Sequence, residues 1–317
     1  MPDDYSVVIP TYNRRDTLLA VLRALERQDT PELLREVVVV DDGSSDGTAE
    51  AVADLDTPLA VNLLTGRRGG PAAARNAGVE AAEGAYVLLL CDDVEATPGL
   101  LAAHDARRQD EAAPNAVVGR VDWPPAKTVS HFEEFVIANY HFGFEAFDGL
   151  DELPFYAFIT ANLSIDRELL LDLGGFDEGF SYGWEDTDLG LRAAEADVRL
   201  LYAPDALAYH HHAITPASYC RRQSAVGCSA VHFIDKHPDR GDVVGADRLP
   251  KPWTARWLMK SALFNRALSP AWLLAARAFG ALGAKSAAEA IYSQVLAGHY
   301  YRSMARTMAD REAQGEL

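Results

Sequence analysis

Asp92 and Asp93 are adjacent carboxylates closing an apolar run, Tyr86 to Cys91. Side by side they repel each other and seek water or a cation. A hard divalent ion is a fitting partner, because Mg²⁺ typically takes one or two carboxylates and completes its shell with substrate phosphates. Alone, such a pair is equally a solvated strand end. Two further acidic clusters give it meaning. Asp41-Asp42-Gly43-Ser44-Ser45-Asp46 follows the β-branched run Val37 to Val40. A carboxylate after the second strand of a nucleotide-binding sheet can accept hydrogen bonds from a ribose hydroxyl or a base N–H. The same residues also make a good turn and helix cap. Trp184-Glu185-Asp186-Thr187-Asp188 opens a helix, where acidic residues are electrostatically favoured. The loop before it, Phe176 to Trp184, mixes glycine with aromatic rings and suits a sugar. A carboxylate there can serve as general base on an acceptor hydroxyl. Finally, His210, His211 and His212 end an apolar stretch from Ala206. On a strand, His210 and His212 share one face, and an imidazole there could complete a metal site with Asp93.

The elements that must carry these residues alternate. Strands are expected at 5–10, 37–40, 59–64 and 86–91. Helices are expected at 17–27, 48–55 and 71–82. Continuous apolar strands joined by short helical connections describe a mostly parallel sheet covered on both faces. In such sheets ligands bind beyond the carboxyl ends of the strands, which is where the acidic clusters fall. From about Val117 the pattern loosens, and 123–154 is rich in aromatic residues without a clear period. Further strands are expected at 157–165 and 206–212, and helices at 167–173 and 187–195. After Pro216 the chain reads as wholly helical, with a break at Pro250 and Pro252. The expected domains are 1–215, with the nucleotide side at about 1–120 and the acceptor side at about 121–215, and a helical region at 216–317.

Composition narrows the partners. The 317 residues are 49% hydrophobic and 24% charged, enough to bury a substantial core. With 47 acidic against 29 basic residues the formal charge is −18, which repels nucleic acid, and no basic stripe counters it. A phosphate-bearing ligand therefore needs local neutralisation, which a divalent ion supplies. The three cysteines, Cys91, Cys220 and Cys228, are scattered and read as reduced thiols of a cytoplasmic protein. No leader-like segment opens the chain, and no run reaches the ~18 apolar residues of a membrane span. Trp253, Trp257, Met259, Leu263 and Phe264 lie among Lys251, Arg256, Lys260 and Arg266. That mixture suits peripheral contact with the inner face of a membrane, or packing against the catalytic domain or a second subunit.

Six motifs in order carry a resemblance that spacing alone does not establish. They are Val8-Ile9-Pro10-Thr11-Tyr12-Asn13-Arg14, Val39 to Thr48 with its Asp41-Asp42-Gly43-Ser44 core, and Gly69-Gly70-Pro71 through Arg75-Asn76-Ala77-Gly78. Leu90-Cys91-Asp92-Asp93, Gly174-Gly175-Phe176-Asp177-Glu178 and Trp184 to Asp188 complete the set. Together they resemble the family 2 glycosyltransferases of the GT-A type, a Rossmann-like α/β fold. The resemblance implies inverting transfer of a sugar from a nucleotide-diphosphate donor, UDP-sugars being favoured, to a hydroxyl of a glycan, lipid-linked or small-molecule acceptor. It implies nucleotide-sugar contacts at Pro10, Thr11, Asn13, Asp42, Arg75, Asn76 and Asp92. It implies Asp93 as a ligand of Mn²⁺ or Mg²⁺ with His210 a further metal or diphosphate contact, Asp186 as catalytic base, and Glu185 supporting it or touching the acceptor. A histidine ligand tilts the metal toward Mn²⁺. One departure is visible: many members have a third aspartate where this chain has Cys91. A catalytically silent sugar-nucleotide or glycan-binding protein of the same fold is the alternative. A sugar-phosphate nucleotidylyltransferase would instead open with a glycine-rich phosphate loop after the first strand.

Overall fold

In the computed structural model residues 4–66, 68–109, 114–140, 143–211, 213–246 and 266–314 are described. They form two compact units. One comprises residues 1–127, 142–178 and 185–212; the other comprises 128–141, 179–184 and 213–317.

The first unit is built on β1 (Tyr5–Thr11), β2 (Leu34–Asp41), β3 (Val61–Thr65), β4 (Tyr86–Leu90), β5 (Val94–Ala96), β6 (Asn115–Asp122), β7 (Asn162–Asp166) and β8 (Arg199–His210). They make one eight-stranded sheet in the order β3-β2-β1-β4-β7-β6-β8-β5. Val7, Val8, Ile9 and Val37 to Val39 are fully buried, each contributing about 1.5–3 kcal/mol of transfer free energy. Such strands, apolar on both faces, need helices on both faces. These are α1 (Arg15–Leu25), α2 (Thr48–Ala53), α3 (Gly70–Ala81), α4 (Leu100–Gln109), α6 (Arg167–Asp172) and α7 (Glu185–Glu195). Helix α3 packs on β1 and β2, and Gly78 permits it: a Cβ there would stand 2.4 Å from Val8 Cγ1.

Strands β3, β2, β1 and β4 are parallel, so Thr11, Asp41 and the residues after Leu90 lie along one edge. The other half departs from the expected pattern. β7 runs antiparallel to both β4 and β6, and β5 antiparallel to β8, so the sheet is mixed. Three elements were not legible locally: β5, α4 and β6. The expected strand at 157–165 begins only at Asn162, because Phe155–Ala157 forms a 3-10 turn. The expected strand at 206–212 starts earlier, at Arg199, and ends at His210, since β8 pairs along β6 as well as β5.

The second unit contains α5 (His131–Tyr140), α8 (Pro216–Lys236), α9 (Ser269–Ala281) and α10 (Lys285–Gln314). Helix α5 was also not anticipated. Its Phe132 meets Tyr292 of α10 edge to face, with ring centroids 4.8 Å apart. Thr215 and Ser218 form a reciprocal capping box at the start of α8. No described residue after His210 is in a strand. The expected proline break and the residues from Lys251 to Phe264 read as a membrane-facing or subunit-facing set lie outside the described residues. No described helix is long and apolar enough to cross a membrane.

Candidate functional site

The parallel edge gathers the nucleotide-side residues. Pro10 and Thr11 close β1, and the Asp42 N–H donates to Thr11 O at 2.9 Å, joining the ends of β1 and β2. Thr11 Oγ1 donates to Asp92 Oδ2 at 2.8 Å, joining the ends of β1 and β4. Asn13 adopts a left-handed conformation (φ 51°), tolerable for asparagine. Its N–H donates to Ser44 Oγ at 2.8 Å, and its Oδ1 accepts from the Ser45 N–H at 2.8 Å. Asp42 accepts from the N–H groups of Gly69 and Gly70 at 2.7 and 3.0 Å, holding the turn that enters α3. Beside it, Arg68 hydrogen-bonds the Tyr12 hydroxyl and lies over that ring, 4.4 Å from its centroid. This exposed planar pair was not singled out from the sequence.

Asp92 and Asp93 are both buried. A single nitrogen, Arg14 Nη1, bridges them: it is 3.0 Å from Asp92 Oδ1 and paired with Asp93 Oδ2. Burial pushes the Asp92 carboxyl up to about 6, aided by the Asp93 charge and opposed by Arg14 and the Thr11 hydroxyl. Burial would depress the Arg14 guanidinium, but Asp93 and then Asp92 outweigh it and its pKa rises. On the other side Asp93 Oδ1 faces His210 Nε2 at 3.5 Å. Pairing of Val94 with His210 between β5 and β8 brings them together. Trp123 flanks the imidazole, with ring centroids 5.6 Å apart. Of the other two histidines, His211 bonds Glu95 at 2.6 Å, and His212 lies outside the described residues. Among the described residues no cluster of three or more acidic, histidine or cysteine side chains forms a ready-made metal cage. Carboxylate oxygens with one imidazole fit an ion whose remaining ligands come from a diphosphate.

Helix α7 presents the second acidic pair. Glu185 is buried and Asp186 keeps 28% of its side chain exposed. Arg75, on α3, reaches Glu185 Oε1 at 3.2 Å and Asp186 Oδ1 at 3.8 Å. Burial would depress the Arg75 guanidinium; Asp186 and Glu185 reverse that and raise it. Burial raises the Glu185 carboxyl too, and the Asp186 charge adds to it, while Arg75 opposes both. Glu185 Oε2 is buried without a hydrogen-bond partner among the described residues. Thr160, just before β7, holds Asp186: its N–H donates to Oδ2 at 3.2 Å, and its Oγ1 lies 2.9 and 2.8 Å from Oδ1 and Oδ2. Thr160 escaped the sequence reading. Asn76, the neighbour of Arg75, instead ties the 174–178 loop. Its Nδ2 donates to Phe176 O and Glu178 Oε1, and its Oδ1 accepts from the Phe176 N–H, at 2.8–2.9 Å.

Both acidic pairs act electrostatically on one buried thiol. Burial pushes the Cys91 thiol up to about 12, and the charges of Asp93, Asp92 and Asp186 all add to it against Arg75. The thiol thus lies within electrostatic reach of both pairs.

Known proteins are similar to this chain. An uncharacterised glycosyltransferase, YfnE, of Bacillus subtilis is 28% identical over 73% of this chain and 70% of its own length. A pre-mycofactocin glycosyltransferase of Mycobacterium tuberculosis is 32% identical over 75% of this chain, which spans only 49% of that relative. Among solved structures, the mannosyltransferase PcManGT of Pyrobaculum calidifontis, in complex with GDP-Man and Mn²⁺, aligns with a TM-score of 0.64 at 24% identity. It covers 97% of this chain and 87% of its own. The S. aureus TarS fragment 1–349 in complex with UDP aligns with a TM-score of 0.54 at 18% identity, covering 98% and 92%. These likenesses give the sheet and its flanking helices as the GT-A fold. The domain described as glycosyl transferase family 2 matches residues 6–171, more than half of the chain, so this protein belongs to the family 2 glycosyltransferases.

Proposed function

We propose that this enzyme moves a sugar from a nucleoside-diphosphate donor, UDP-linked by preference, to an acceptor hydroxyl in one displacement that inverts the anomeric carbon. The observation that carries it is the presence of two acidic sites, Asp93 facing His210 at 3.5 Å beside the nucleotide edge, and Asp186 at the head of α7 held by Thr160 and beside Arg75. Pro10, Thr11, Asn13 and Asp42 border the base and ribose, with the Tyr12–Arg68 pair beside them. Arg75 reaches from α3 to the Glu185–Asp186 pair, and Asn76 fixes the 174–178 loop that borders the sugar. Asp93 and His210 would hold a divalent ion, which when bound would supply charge stabilisation to the departing diphosphate.

Asp186 takes the proton of the acceptor hydroxyl as that oxygen bonds to the anomeric carbon. The bond from that carbon to the diphosphate oxygen breaks with its electron pair, and the nucleoside diphosphate leaves. Attack from the face opposite the leaving group inverts the configuration. Glu185, paired with Arg75, keeps that guanidinium beside the base. The ligands named for the solved relatives, UDP in one and GDP-Man with Mn²⁺ in the other, support a nucleotide sugar and a divalent ion.

The test is a thermal-shift screen of UDP, GDP, dTDP, CDP and ADP with Mn²⁺, Mg²⁺ or EDTA. A ligand at ~100 times its dissociation constant stabilises the fold by about 2.7 kcal/mol. One nucleotide is expected to raise Tm only with the metal, and Asp93→Ala to abolish the rise. No response to any diphosphate would sink the reading.

A further inference from the structure

Asp186 does not stand free at the head of its helix. A residue 26 positions earlier in the chain, on the segment leading into β7, grips both of its oxygens. Thr160 is 1% exposed, so its hydroxyl and N–H exchange little with water. The carboxylate beyond them keeps 28% of its side chain exposed, an open face for a hydroxyl. The Thr160 donors therefore cover one side of the carboxylate and leave the other for the acceptor.

We propose that Thr160 is a positioning residue for the catalytic base: its hydroxyl locks the rotamer of Asp186 and its backbone N–H fixes Oδ2. This rests on the reading of Asp186 as base given above. One physical effect follows. A fixed carboxylate plane holds the accepting lone pair on line, and small misplacements of a reacting group are costly in rate. Arg75, at 3.8 Å from Oδ1, adds charge but not direction, since that distance is beyond hydrogen bonding. The directional restraint comes from Thr160. The segment itself is anchored: the Cys91 N–H donates to Ala161 O at 3.4 Å, and β7 pairs with β4 from Asn162 on. Thr160 thereby transmits the position of the nucleotide-edge strand to the base.

The test uses the full chain with UDP-glucose, UDP-N-acetylglucosamine and GDP-mannose, reading release of nucleoside diphosphate with water and with a methyl glycoside as acceptor. Thr160→Val keeps the shape and removes the hydroxyl; Thr160→Ser keeps the hydroxyl. Thr160→Val is expected to lower kcat about 10- to 100-fold, the scale of one hydrogen bond to a charged group. Donor KM stays as in wild type, and Thr160→Ser stays within a few-fold of wild-type kcat. In an Asp186→Asn background, Thr160→Val adds nothing. If Thr160→Val fails to fold, Thr160→Ala against Thr160→Ser makes the same comparison. Wild-type kcat in Thr160→Val, or equal loss in Thr160→Val and Thr160→Ser, overturns the proposal while Asp186→Asn remains inactive. A fully active Asp186→Asn instead overturns the base reading, and the proposal with it.

Discussion

The two acidic pairs of the sheet unit are alike in composition and unlike in surroundings. Asp92–Asp93 ends a strand and is neutralised by Arg14, whose side chain is 38% exposed. Glu185–Asp186 opens a helix and is neutralised by Arg75, whose side chain is 10% exposed. An exposed arginine can move away when another cation arrives, at small cost in either direction. A buried one cannot, because withdrawing it leaves uncompensated charge in a low-dielectric interior. The first pair is thus suited to exchange counter-ions and the second to stay fixed while a proton passes. In the proposed function their environments, more than their sequences, divide donor handling from acid–base work.

The sharpest way to break this division is Asp186→Asn. General-base loss costs about 10²- to 10⁴-fold in rate, so kcat should fall on that scale. Metal-dependent stabilisation by the nucleoside diphosphate, read as Tm, should stay, because it depends on the other pair. Loss of both together would mean that the pairs form one site without separable roles.

A second prediction concerns the core beside β7. His104, on α4, is fully buried, with Nε2 2.9 Å from Asn162 Oδ1 and Nδ1 2.9 Å from Ser164 Oγ. Both partners are neutral residues of β7, the strand that follows Thr160. Burial pushes the imidazole down to about 4, with Arg108 adding to the effect against the Asn162 bond. The folded protein then binds fewer protons than the unfolded chain between about pH 6.5 and 4. The stabilisation from neutral His104 is full above pH 6.5 and is lost as pH falls through 4, amounting to about 3 kcal/mol. Urea unfolding of wild type and His104→Gln from pH 7 to 4 should show this part of the slope only in wild type. Identical slopes would refute it. Activity profiles of the two acidic pairs compare cleanly only above that window.

The parallel half of the fold was legible because its strands are continuous apolar runs, each followed by a polar turn. β6 was not, because Gly119 and Arg120 interrupt its run. Gly119 is required there, since a Cβ would meet Asn162 Nδ2 at 2.2 Å and Ala206 O at 2.5 Å, both from distant chain positions. The antiparallel sense of β7 is likewise set by its partners, β4 and β6, and leaves no local mark. In the site, Asp92, Asp93, Glu185 and Asp186 were readable as clusters. His210 was set beside Asp93 from imidazole's metal chemistry and the family resemblance, and β5–β8 pairing puts the two 3.5 Å apart. Thr160 and Arg14 were not assigned roles from the sequence. Their parts depend on contacts 26 and 78 or more positions away, and neither residue type announces them.

The smallest expected effect tests the exchange idea itself. Arg14 Nη1 bridges Asp92 and Asp93, pairing with Asp93 Oδ2, so an ion held at Asp93 Oδ1 and His210 would share that carboxylate's charge with it. Arg14→Gln removes that competition. Without nucleotide, Mn²⁺ affinity measured by calorimetry or paramagnetic resonance should rise, by roughly fivefold at most, since the Arg14 side chain lies partly in solvent. The gain should shrink as salt is added, since exposed charges are screened. Arg75→Gln offers the contrast: it leaves Glu185 buried against Asp186 without its partner, so it should lower Tm rather than tighten Mn²⁺. An unchanged or weaker Mn²⁺ affinity in Arg14→Gln would mean that its guanidinium supports the carboxylates as Arg75 does. The difference between the two pairs would then be one of exposure alone.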